Sequence, residues 1–124
     1  MSAMSPILRQ AEGGRLHFWC PGCDRAHAFW VGVGEGPRWE WNGSADKPTF
    51  SPSLLVRGRT LTPKGLEAWQ AWHAAGKPPR AEGTVWDAEE TVCHSFVTGG
   101  MIQFLGDCTH DLKGQTVPIP EWPL

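Results

Sequence analysis

Cys20, Cys23, Cys93 and Cys108 are the residues of this chain whose type and spacing most readily do chemistry. The first two stand in Cys20-Pro21-Gly22-Cys23, where two intervening residues let both thiolates converge on one tetrahedral ion. One such pair is half a site. Cys93 and Cys108 supply the other half: 69 residues separate Cys23 from Cys93, and 14 separate Cys93 from Cys108. A hairpin between the latter two returns its ends to a common edge, so a cysteine beside each end can face the same ion. The expected chemistry is a closed four-thiolate zinc site that staples the fold and leaves no coordination position for a reactive water. His94 and His110 are the alternative ligands, because neutral imidazole also binds zinc. Strand alternation disfavours His94, which turns to the opposite face if Cys93 faces the ion. His27 is placed as a group that contacts a ligand without binding the ion. His17 and His73 read as core-edge or surface residues.

Three enzymatic readings compete with this one. A thiol oxidoreductase needs its first cysteine at a helix N-terminus, whereas the residues after Cys23 alternate like a strand. A zinc deaminase needs a His-x-Glu element, and none of the five histidines is followed by one. A zinc hydrolase needs an open coordination position and a base, for which His94, Asp107, His110 and Asp111 are the candidates. Turn and capping roles explain those four side chains as well. No catalytic residue is therefore assigned, and a change of Asp107 or His110 to Ala is expected to spare function.

The elements that must position the cysteines are mostly strands. Arg15 to Trp19 leads into the Cys20–Cys23 knuckle, and His27 to Val31 follows as its return strand. Trp39-Glu40-Trp41 alternates like a half-buried strand, and Asn42-Gly43 is a turn signal. Lys47 to Ser53 carries two prolines that interrupt regular pairing, so it reads as an ordered extended loop before a short strand at Leu54 to Val56. Thr91 to Thr98, Gly99-Gly100 and Met101 to Leu105 form the clearest hairpin. One helix is expected over residues 62–76, with Thr62 as N-cap, Pro63 at its first position and Gly76 as stop. Its Leu66, Trp69 and Trp72 or His73 form an apolar stripe expected to dock on the sheet. The fold class is mainly β (α+β): a small zinc-stapled antiparallel sheet with a zinc-ribbon-like knuckle and one docked helix. Residues 1–124 read as a single zinc-binding domain, with 57–90 as a helical excursion.

Composition narrows the partners. Eight tryptophans and five phenylalanines among 124 residues point to aromatic bulk in the core, with Trp19, Trp30, Trp39 and Trp41 inside and Trp122 exposed. A net charge of -2 gives no basic footprint for nucleic acid, so such a partner is possible but not indicated. Arg57, Arg59 and Lys64 read as a solvated basic face. No apolar run approaches the roughly 20 residues that cross a bilayer, and the N-terminus lacks a signal-peptide pattern. A cytoplasmic location in a bacterial host follows, with reduced thiols and no membrane partner.

Taken together, Phe18-Trp19-Cys20-Pro21-Gly22-Cys23, Trp41-Asn42-Gly43, Pro48-Thr49-Phe50-Ser51-Pro52-Ser53-Leu54, Cys93-His94-Ser95-Phe96 and Asp107-Cys108-Thr109-His110 resemble a family of small zinc-binding proteins encoded by tailed phages and prophages. Members often carry the label "ammonia monooxygenase", which nothing in these residues supports. The resemblance implies zinc binding, a phage origin and no established activity. The function expected on that basis is a non-enzymatic protein-binding module acting on a host or phage protein, with inhibition of host defence as one such role. A zinc-dependent hydrolase or nucleic-acid-acting enzyme is the alternative.

Overall fold

The computed structural model describes residues 2–123. Its strands form two antiparallel sheets. The first has the order β1 (Ser2–Ala3), β2 (Leu8–Gln10), β3 (Arg15–Cys20), β4 (Arg25–Trp30). The second has the order β5 (Glu40–Trp41), β6 (Phe50–Leu61), β7 (Ala88–Thr98), β8 (Met101–Phe104), β9 (Thr116–Pro118). Burial follows the two-residue period of a strand with one wet face. β3 buries Leu16, Phe18 and Cys20, and β4 pairs with it through Cys20 opposite Arg25 and Phe18 opposite His27. β7 buries Cys93, Ser95 and Val97, which turns His94, Phe96 and Thr98 outward. The β7–β8 turn is Gly99-Gly100, both at positive φ (58° and 82°), as a tight hairpin requires. The knuckle, the return strand and this hairpin lie where the sequence puts them.

The molecule comprises two compact units. The first comprises Met1–Val56 with Val92–Leu124. Its core is phenylalanine and aliphatic: Phe29 meets Phe50 edge to face at 4.6 Å, Phe18 meets Phe29 at 5.9 Å, and Leu8, Leu16, Leu54, Val97, Ile102 and Phe104 surround them. The tryptophans do not fill this core, contrary to expectation. Trp30 is 42% exposed, and Trp19, Trp39 and Trp41 are half-buried at its margin. An indole N–H needs a partner when buried, and the margin supplies it: Trp39 Nε1 donates to the Ser53 carbonyl and Trp41 Nε1 to that of Ser44. Trp122, expected outside, is half-buried against Trp19, with Arg9 over its ring and its Nε1 donating to the Ile7 carbonyl.

The second unit is Arg57–Thr91 and contains α1 (Pro63–Ala74). Both helix ends are as the sequence indicates. Thr62 Oγ1 accepts the Gly65 N–H at 3.0 Å, Pro63 opens the helix, and Gly76 ends it at φ 82°. The apolar stripe is a correction. Leu66 is 44% and Trp69 36% exposed, and Gly65 is the buried residue of the helix. The contact is made by bare backbone, because a Cβ at Gly65 would lie 1.9 Å from the Asp87 carbonyl oxygen. Leu66 and Trp69 stay exposed, while Trp72 and His73 are half-buried, Trp72 against Trp86. Arg59 and Lys64, read as a solvated basic face, line a concavity of about 600 Å³ in this unit with Trp72, Arg80 and Trp86.

Candidate active site and thiol cluster

Two constellations lie in the first unit, on opposite faces of β7. Outward, His94 stands between two oxygen groups. Its Nδ1 is 3.0 Å from Asp107 Oδ2 and its Nε2 is 2.9 Å from Ser53 Oγ. A carboxylate only accepts, so Nδ1 carries the proton, which leaves Nε2 as acceptor for the Ser53 hydroxyl. That is the tautomer a serine nucleophile needs, with the base held by a carboxylate on its far nitrogen. The three residues come from β6, β7 and the loop after β8. Ser53 is brought in because its carbonyl accepts from Trp39 while the strand runs beside β7. Asp107 is brought in because the loop folds back: Cys108 N–H donates to the Leu105 carbonyl, Leu105 N–H to that of His94 and Thr109 N–H to that of Val92. Side-chain exposures of 25% for His94 and 55% for Asp107 leave the group open to a large substrate.

Inward, Cys20, Cys23, His27 and Cys93 present ligand atoms all within 4.8 Å of one another. Cys20 and Cys93 sulfurs are 3.8 Å apart. All four cysteines are free thiols. Hydrogen bonds from Cys23 and Cys93 hold the Cys20 thiol well below its ordinary value, and Cys20 and Cys23, with burial, push Cys93 up. The cluster therefore stabilises a thiolate. The Nε2 of His27 is buried without a hydrogen-bond partner, a costly arrangement for a polar atom unless something else binds it. These groups can hold a metal ion. Gly22 is required between the cysteines for space: a Cβ there would fall 2.3 Å from the His110 ring.

Cys108 and His110 form a second group with Cys93, so the structure places them beside the cluster and outside its mutually close four. The Cys108 sulfur is taken up by the main chain of His94, whose N–H lies 3.3 Å away. His110 accepts the Leu112 N–H at Nδ1 and packs edge-on against Phe104 at 4.4 Å. His94, weighed as a zinc ligand, points instead to Ser53 and Asp107. His27, placed next to the site, has its ring nitrogen in it. Ser53 was missed altogether.

A family model described as "Bacterial ubiquitination-like system serine protease (BubE)" matches residues 2–105. The chain belongs to this family. The match covers Ser53 and His94 and ends just before Asp107. No curated protein and no solved structure matches the chain. Membership overturns the expectation of a non-enzymatic binding module, because the family is named for a serine protease. The physical reason for the error is that catalysis was sought at the cysteines and the metal, while the base on the outer face of β7 has a serine and a carboxylate as its partners. Asp107, expected to be dispensable, is hydrogen-bonded to the outward histidine. No helix among the described residues is long and apolar enough to cross a membrane.

Proposed function

We propose that this chain is a serine protease that hydrolyses amide bonds in proteins of a ubiquitination-like system, with Ser53 as nucleophile, His94 as general base and acid, and Asp107 as the group that orients His94. The observation that carries the reading is the continuous hydrogen-bonded series from Ser53 Oγ through both His94 nitrogens to Asp107 Oδ2. As Oγ bonds the carbonyl carbon of the substrate, its proton passes to Nε2, and the Asp107 carboxylate stabilises the imidazolium that results. Nε2 then gives this proton to the leaving nitrogen as the C–N bond breaks, and the acyl group stays on Ser53 as an ester. Water repeats the sequence: it loses a proton to Nε2 as it adds, and Nε2 returns one to Ser53 Oγ as the ester C–O bond breaks.

The metal assigned to the inward cluster is zinc, held by Cys20, Cys23 and Cys93 with His27 as the fourth ligand. Three thiolates and one imidazole are a standard closed shell for zinc, whose contribution is to fix the fold. His110 stands outside the shell by its tautomer. Its Nδ1 accepts a backbone N–H, so Nε2 carries the proton in the neutral ring and has no lone pair to offer a metal ion. The two halves of the site then divide the work. The cysteines hold β3, β4 and β7 together, and the outer face of β7 presents His94 to Ser53.

The test is hydrolysis of an amide-linked conjugate of a ubiquitin-like protein. Turnover by the wild type that falls by several orders of magnitude in Ser53→Ala, with zinc content unchanged, supports the reading. Turnover retained in Ser53→Ala rejects it.

A further inference from the structure

The outward face of the second sheet is where polar residues belong, yet three large apolar side chains stand on it near the nucleophile: Leu55 (46% exposed), Phe96 (42%) and Met101 (39%). Single exposed apolar residues need no explanation; their placement here does. Phe96 lies two residues beyond His94 on the same face of β7, about 7 Å along the strand. It pairs with Gln103, and Met101 pairs with Thr98, so Phe96 and Met101 are diagonal neighbours that make one patch. Leu55 lies two residues beyond Ser53 on β6. The strands run antiparallel: Ser53 meets His94, and Thr49 Oγ1 accepts the Gly99 N–H. Two residues onward along β6 and two along β7 therefore lead in opposite directions. Phe96 with Met101 flanks Ser53 on one side and Leu55 flanks it on the other.

The remaining outward residues nearby, Ser51, Thr98 and Gln103, are neutral. Two carboxylates stand beside these residues: Asp107, engaged by His94, and Glu40, which pairs opposite Ser51. Apolar surface brackets the reacting oxygen.

Resting on the serine-protease reading, we infer that the substrate is a protein segment carrying a bulky apolar residue (Leu, Phe or Met) next to the scissile amide, and that Phe96 determines this preference. An apolar contact of this size discriminates between substrates by a factor of about 10 to 200.

The test uses the full chain and a set of internally quenched peptides identical except at the positions flanking the cleaved bond, which carry Leu, Phe, Ser, Asp or Lys. Expected is kcat/KM at least about tenfold higher for Leu and Phe than for Ser, with Asp lowest. Phe96→Ser should bring the Leu and Phe peptides down toward the Ser peptide, mainly through KM, and Phe96→Leu should restore the preference. The thermal midpoint checks that each variant folds. Equal cleavage of all peptides, a preference for Lys or Asp, a preference unchanged in Phe96→Ser, or labelling of Ser53 by a fluorophosphonate without cleavage of any peptide would overturn the inference and leave the serine-protease reading standing. Absence of both labelling and cleavage would overturn the reading itself.

Discussion

The main chain of His94 and the thiol of Cys108 bond each other twice. The His94 N–H donates to Cys108 Sγ at 3.3 Å, and the thiol donates to the His94 carbonyl at 3.2 Å. Cys108 follows Asp107 directly, so this pair of bonds ties the backbone that carries the base to the backbone that carries its carboxylate. Cys108→Ala should lower kcat by roughly tenfold, corresponding to about 1 to 2 kcal/mol of lost hydrogen bonding. Cys108→Ser, which keeps a donor and acceptor, should recover most of it. Zinc content should be unchanged in both, measured beside steady-state kinetics. Loss of zinc in either would return Cys108 to the metal shell.

Asp107→Asn keeps the size of the side chain but removes the acceptor that selects the Nδ1–H tautomer. Activity should fall by a factor on the order of 10,000 at neutral pH, as expected when the base is held in the wrong tautomer. The melting temperature should shift little, because Asp107 is exposed.

Removal of the metal should act through the fold. Cys20→Ser, Cys23→Ser, His27→Ala and Cys93→Ser should each lose most of the single zinc and unfold or strongly destabilise the first unit, since binding free energies of roughly 10 to 16 kcal/mol are coupled to folding at such sites. Elemental analysis and circular dichroism on the same samples check this. A metal-free preparation with an unchanged melting transition would contradict it.

On α1, Trp69→Ala should cost well under the 3 to 5 kcal/mol typical of a buried tryptophan, because the ring is 36% exposed. Gly65→Ala should cost more than Trp69→Ala, since its Cβ would overlap the Asp87 carbonyl. Chemical denaturation of the two variants reads the order directly.

These contrasts show which parts of the molecule were legible in the sequence. Thr62 and Pro63 announce a helix start through interactions confined to one turn, and Gly99-Gly100 announces a hairpin in the same way. Cys20-x-x-Cys23 announces a metal half-site because both ligands share one knuckle. Local signals of this kind survive folding. The triad has none: Ser53 and His94 are 41 residues apart and His94 and Asp107 are 13 apart, joined only by strand pairing. Ser53 sat in a segment whose prolines suggested a loop. The alternation argument that removed His94 from the metal was sound, and it pointed to the outer face on which the base is found. His27, read as a neighbour of the site, lies close enough to the three sulfurs to hold an ion with them, and nothing in its spacing from Cys23 distinguishes a ligand from a neighbour. The helix stripe failed because the pattern marks which face is apolar without showing what covers it.

The central claim is that Ser53 is a nucleophile activated by His94, and the most direct measurement is covalent labelling by a fluorophosphonate followed by mass-spectrometric mapping of the adduct. The account predicts one adduct per chain, on Ser53, lost in Ser53→Ala and strongly slowed in His94→Ala. No adduct on the folded, zinc-loaded chain, or an adduct on another residue that persists in Ser53→Ala, would contradict it.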